Sequence, residues 1–203
     1  MDNQKYLQDL SDIRQMMSRS TQFISLSGLS GVMAGVYALA GAWIGHKLLE
    51  NHESQYVTLE SHTFKAMLLT ALCVMVLAIA TALVMTKINA RKRGETIWND
   101  TSKRLTVNFL IPLVTGGVFT LLLLKQEVYG LIAPATLIFY GLACVNASKY
   151  TFRDVRYIGL TMIVLGLFCT AIPGYSLEFW AFGFGVCHIV YGAIMHFKYQ
   201  IKN

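Results

Sequence analysis

Apolar residues do not alternate with polar ones along this chain. They run in six blocks, at residues 23–44, 66–85, 105–124, 128–146, 157–173 and 179–197, and none contains Asp, Glu, Lys or Arg. Roughly 17–25 apolar residues suffice to cross about 30 Å of hydrocarbon as a helix. Backbone N–H and C=O groups in lipid must be satisfied within the segment, which selects helices. A barrel would need short alternating strands. The pattern therefore predicts an all-α fold, an integral membrane bundle of six transmembrane helices at 23–197. The fifth block is the shortest and ends at Pro173-Gly174.

Composition narrows the class further. Of 203 residues, 55% are hydrophobic and 14% charged, against roughly 25% charged in a soluble domain. Sixteen Gly, three Pro and four Cys exclude collagen, disordered chains and disulfide-stapled scaffolds. Cys73, Cys144, Cys169 and Cys187 all lie within the apolar blocks and read as small apolar residues.

The net charge of +6 resolves into topology. Lys5, Arg14 and Arg19 precede the first block. Lys87, Arg91, Lys92, Arg93, Lys103 and Arg104 join the second to the third. Lys149, Arg153 and Arg156 join the fourth to the fifth, and Lys198 and Lys202 follow the sixth. These segments share one side and hold 14 basic residues, against Lys47, Lys65 and Lys125 on the other. The positive-inside rule then places both termini in the cytoplasm. Residues 1–22 form a cytoplasmic amphipathic helix, with Tyr6, Leu10, Ile13 and Met17 on one stripe, and residues 198–203 a cytoplasmic tail. The stripe at 1–20 suits a cytoplasmic protein partner. Ala38-Leu39-Ala40 resembles a signal cleavage site, but the preceding stretch is charge-balanced and the apolar run continues through Ile44.

Arg91, Lys92 and Arg93 form a juxtamembrane cluster suited to anionic lipid head groups; no nucleic-acid motif surrounds them. The segment 45–65 holds His46, Glu50, His52, Glu53, Glu60 and His62 without metal-site spacing, although His46 and Glu50 would share a helix face. No metal or cofactor is expected.

Within the blocks, Gly31–Gly35 and Gly41–Gly45 are GxxxG pairs that admit a close helix neighbour, in this bundle or in a homo-oligomer. Pro112 deprives the Asn108 carbonyl of its i+4 donor. Asn108 and Asn146 lie at similar depth on a tight hairpin and are expected to meet. His188 is an intramembrane ionisable residue, by default a candidate polar site together with Tyr191 and Tyr140. Neither Thr136 nor Cys144 sits in the surroundings of an activated nucleophile. A faint echo pairs Tyr140-Gly141 and Lys149-Tyr150 with Tyr191-Gly192 and Lys198-Tyr199.

The stretches Ile13 to Gly28, Tyr140 to Tyr150 and Trp180 to Gly192 resemble a group of bacterial polytopic inner-membrane proteins of unknown function. The resemblance implies a membrane location and carries no activity or site residue. The expected role is non-enzymatic, as a scaffold, sensor or regulatory partner. The alternative is a small oligomeric transporter or channel with a polar path near Asn108, Tyr140, Asn146 and His188.

Overall fold

The computed structural model describes residues 23, 26–50, 61–92, 94 and 97–199. The amphipathic stripe at 1–20, Arg93 and the tail beyond residue 199 lie outside them. Six helices are present among the described residues: α1 Gly28–Glu50, α2 His62–Lys92, α3 Asp100–Lys125, α4 Ile132–Ala147, α5 Val155–Ala171 and α6 Ser176–Tyr199. No strand occurs among them. A 3-10 turn, Tyr129–Leu131, leads into α4.

Five stretches, α1, α2, α3, α6 and Tyr129–Ala147 with α4, are long and apolar enough to cross a membrane; α5 is shorter. Helix α2 makes the point most directly. Leu68, Leu69, Leu72, Val76 and Leu83 are all exposed, and the most apolar stretch of α2 has no buried residue. Water does not tolerate an apolar face of that size, whereas hydrocarbon is indifferent to it. The chain is a multi-pass membrane protein.

Local chemistry sets the helix ends. At the start of α3, the Asn99 side chain accepts from the Ser102 N–H at 2.8 Å and the Ser102 hydroxyl accepts from the Asn99 N–H at 2.9 Å. This reciprocal box satisfies two otherwise orphaned donors. After α3 the chain reverses through Glu127, at φ 61°, and after α5 through Gly174, at φ 98°. A left-handed turn at Gly174, directly after Pro173, stops a helix that can neither continue nor curl back.

Two helix pairs form the frame. Helix α1 packs on α2 and on α6, and α4 packs on α3 and on α5. Helix α6 joins the halves by inserting its first turns against α4 and α5. Backbones come closest at two glycine crossings. A Cβ built on Gly141 would stand 2.6 Å from the Gly159 carbonyl oxygen, and one on Gly159 would stand 2.7 Å from that of Gly141. At the other crossing, a Cβ on Gly192 would meet the Gly28 carbonyl at 2.6 Å, and one on Gly35 the Gly185 carbonyl at 2.6 Å. The two GxxxG pairs of α1 thus serve different neighbours. Gly31 and Gly35 face α6, whereas Gly41 meets Val74 of α2 and Gly45 looks toward Leu177 and Met67. Gly31, Gly35 and Gly41 are met closely from within the chain, whereas Gly45 has only ordinary van der Waals neighbours.

The buried cluster of Leu137, Ile158, Met162 and Cys169 lies between α4 and α5, with Phe179, Phe184 and Tyr191 of α6 packed against it. All four cysteines are free thiols. One end of the bundle is clasped by backbone: the Phe23 N–H donates to the Tyr150 carbonyl at 2.8 Å, and the Thr151 hydroxyl donates to the Phe23 carbonyl at 2.8 Å. Beside this clasp, Lys198 pairs with Asp154 at 2.6 Å and Tyr199 stacks on Phe152.

Because the crossings leave no room for a methyl group, Gly159→Val is expected to destabilise the protein by about 1–3 kcal/mol. Gly117 faces open space, so Gly117→Ala should be neutral or stabilising by up to about 1 kcal/mol. Denaturant titration in detergent micelles reads both; equal effects would show that the crossing is not close-packed.

Candidate functional site

The sixth helix is not uniform. Ser176–Trp180 and His188–Tyr199 are α-helical, and between them Ala181–Cys187 winds as a π-helix. Such widened turns occur chiefly at functional sites. Two residues inside it lack side chains where neighbours press closest. A Cβ on Gly183 would come within 2.6 Å of Leu137 and 3.1 Å of the Met162 sulfur, and Gly185 packs under Leu39. Phe184 packs inward between these contacts, whereas Phe182 is exposed.

His188 follows directly and is 8% exposed. Its Nδ1 lies 3.2 Å from the Gly183 carbonyl and its Nε2 lies 2.8 Å from the Tyr140 hydroxyl. A carbonyl can only accept, so Nδ1 carries the hydrogen. In the neutral ring Nε2 is then the acceptor, and the Tyr140 hydroxyl donates to it. Both nitrogens are satisfied without a charge, the least costly state for an imidazole in a low-dielectric interior.

Aromatic rings enclose this pair. Tyr140 lies edge-on to Phe109 at 6.0 Å and tilted against Phe184 at 5.1 Å, and Trp180 continues the row at 5.1 Å from Phe184. The Cys144 thiol, one turn along α4, interacts with the Tyr140 hydroxyl. The buried Tyr191 hydroxyl has no hydrogen-bond partner among the described residues. The two Tyr-Gly dipeptides of the sequence now acquire a common geometry. Gly141 faces the α5 crossing and Gly192 the α1 crossing, and Tyr140 and Tyr191 both pack at the cluster between them.

Asn108 and Asn146 do not join this group. Asn146 Nδ2 donates to the Asn108 backbone carbonyl at 2.8 Å, and Asn108 Nδ2 donates to the Arg104 carbonyl at 2.8 Å. The expected meeting of the two asparagines is therefore side chain to backbone. The acceptor is the carbonyl that Pro112 leaves without its helical donor, and Asn146 supplies the missing hydrogen from the neighbouring helix. Asn146 lies six residues, about 9 Å of helix rise, from Tyr140. The five candidate polar residues thus divide into a His188–Tyr140–Tyr191 cluster and a separate Asn108–Asn146 bond.

Arg91 and Lys92 are exposed at the end of α2. His46 meets Glu50 at 3.2 Å, and Lys47 meets the same carboxylate at 2.6 Å. Lys47 and His46 together hold the Glu50 carboxyl below its ordinary range. No group of three metal-ligating side chains occurs among the described residues. The Thr136 hydroxyl donates to the Ala133 carbonyl and is not poised as a nucleophile.

No protein-family model, curated protein or solved structure matches this chain.

Sequence reasoning missed the π-helical segment, the clasp at Phe23 and a cleft between α2 and α3. The Gly-x-Gly spacing ahead of His188 was the available signal for the first. The other two arise from tertiary placement.

Tyr140→Phe removes the donor to a buried ring nitrogen and should cost about 1–3 kcal/mol, whereas Tyr191→Phe removes an unpartnered hydroxyl and should be neutral or stabilising. Thermal unfolding in detergent distinguishes them, and equal losses would contradict the hydrogen-bond assignment. For the second bond, Asn146→Ala should cost about 1 kcal/mol in the native chain. It should cost markedly less in a Pro112→Ala background, where the restored backbone N–H at that position can itself donate to the Asn108 carbonyl. A double-mutant cycle reads that coupling; additive losses would refute it.

Proposed function

We propose that this protein is a six-span bacterial inner-membrane protein with both termini cytoplasmic, and that it works by binding. Its role on this reading is that of a non-enzymatic scaffold, sensor or regulatory partner. The observation that carries the reading is the state of the polar groups inside the bundle. His188 is satisfied on both nitrogens, and Asn146 holds the carbonyl orphaned by Pro112. The half-buried Thr120 and Thr136 each bond a carbonyl of their own helix, as do Thr115, Thr161 and Thr170 on the outer faces of the bundle. Groups held in this way fix helices in register, which supports a structural use of the polar interior.

The orientation rests on the 14 basic residues of one side against Lys47, Lys65 and Lys125 of the other. On this reading Arg91 and Lys92, with Arg93 beside them, contact anionic lipid head groups. The stripe at residues 1–20 contacts a cytoplasmic protein partner, and nothing in the chain calls for nucleic acid. The Gly31–Gly35 face is already occupied by α6, so any self-association on this reading uses another face.

The test is labelling with a membrane-impermeant maleimide in intact spheroplasts, using single cysteines in a background lacking the four native ones. Gln126→Cys should label in intact cells and Lys149→Cys only after permeabilisation. The opposite pattern overturns the orientation. Deletion of residues 1–20 should remove a co-purifying protein and leave membrane insertion intact; unchanged co-purification overturns the partner assignment.

A further inference from the structure

A cleft of about 680 Å³ separates α1 and α2 from α3 and α4 at the end of the bundle that carries Lys125. It exists because α2 packs on α1, α3 packs on α4, and the two rim helices make little contact with each other. Helix α2 lines it from Phe64 to Val74, ten residues or about 15 Å of helix rise. Gly41 and Gly45 of α1 and Leu124 of α3 also line it.

The depth of the cleft is apolar in effect as well as in composition. Its three hydroxyls, on Thr70, Thr120 and Thr136, donate at 2.8 Å to the Ala66, Gly116 and Ala133 carbonyls of their own chain segments. They offer no hydrogen to a ligand. The rim differs, being built from His46, Tyr129, Ser176, Glu178 and Trp180. His46 is held by Glu50. The exposed Glu178 carboxylate makes no ion pair among the described residues.

An apolar slot in a membrane-spanning bundle, lined by a carboxylate that makes no ion pair among the described residues, fits an amphiphile with a cationic head. The geometry points to a bilayer lipid with an ammonium head group, of the phosphatidylethanolamine class. Its acyl chain occupies the slot beside Ala71 and Val74. Its ammonium sits at the Glu178 carboxylate, which favours cations and disfavours anionic head groups. This assignment rests on the membrane-spanning reading and is independent of the protein's cellular role.

The experiment uses the full chain in nanodiscs doped with phosphatidylethanolamine or phosphatidylglycerol, each bearing a photoactivatable group on its acyl chain. Ethanolamine lipid should label residues between 64 and 74, with up to about fivefold preference over glycerol lipid, the effect of one exposed ion pair. Ala71→Trp and, separately, Gly45→Leu fill the slot and should each cut labelling about tenfold. Glu178→Gln should abolish the head-group preference and keep the labelling. Circular dichroism confirms that the variants are folded. Equal labelling by both lipids in the native chain overturns the assignment, as does labelling insensitive to both filling variants. A native chain that alkaline washing strips from membranes fails the spanning reading, and this assignment with it.

Discussion

In hydrocarbon, helices gain nothing by hiding leucine from solvent, so this bundle depends on backbones approaching one another closely. That is possible at two places, where Gly141 meets Gly159 and where Gly28, Gly35 and Gly192 bring α1 against α6. A methyl group at these crossings would overlap a carbonyl oxygen of the facing helix. Close approach instead lets many weak dispersion contacts accumulate along each pair. The aromatic cluster follows from this arrangement. Tyr140 and Tyr191 each precede a crossing glycine, so fixing the glycines outward aims both tyrosines at the space the two pairs enclose.

The second constraint is that no polar group in a membrane-spanning segment finds water, whether it faces lipid or a neighbouring helix. The structure answers it locally where it can, as with the threonines that bond their own helices. It answers across helices where the backbone itself is short of a donor. Pro112 opens a gap in the α3 ladder, and Asn146 closes it from α4. His188 is treated in the same way, since the Gly183 carbonyl in the widened turn takes one ring hydrogen and Tyr140 returns another. These bonds tie α3 to α4 and α4 to α6. They act as register pins between helices whose apolar surfaces would otherwise slide with little penalty.

Much of this was legible in the sequence, because the signals are one-dimensional. Uninterrupted apolar blocks fix the helices to within a few residues. The i to i+4 relation between Asn108 and Pro112 names the orphan carbonyl, and the tight hairpin brings Asn146 to its depth. What pattern alone could not supply was the identity of the acceptor, since two asparagines at one depth suggest a side-chain pair. The π-helical segment was likewise hidden, because it depends on Gly183 and Gly185 being pressed by Leu137, Met162 and Leu39, residues remote in sequence. The clasp of Phe23 on Tyr150 and Thr151 joins residues well over a hundred positions apart. No local periodicity encodes it.

The cleft between α2 and α3 has the same origin as the crossings, in the negative. Helix α2 contains no glycine, and its contact with α1 uses Val74 against Gly41 and the Tyr37 hydroxyl against Thr81 at 3.3 Å. Helix α3 uses Gly116 against Phe139 of α4 and turns Gly117 to open space. Neither helix thus meets the other at a glycine, although they are consecutive in the chain. In water such a gap would collapse to bury its leucines. In hydrocarbon it stays open at little cost, because lipid chains solvate its walls as well as protein does. The distribution of glycine therefore decides both where this bundle closes and where it leaves a lipid-facing slot.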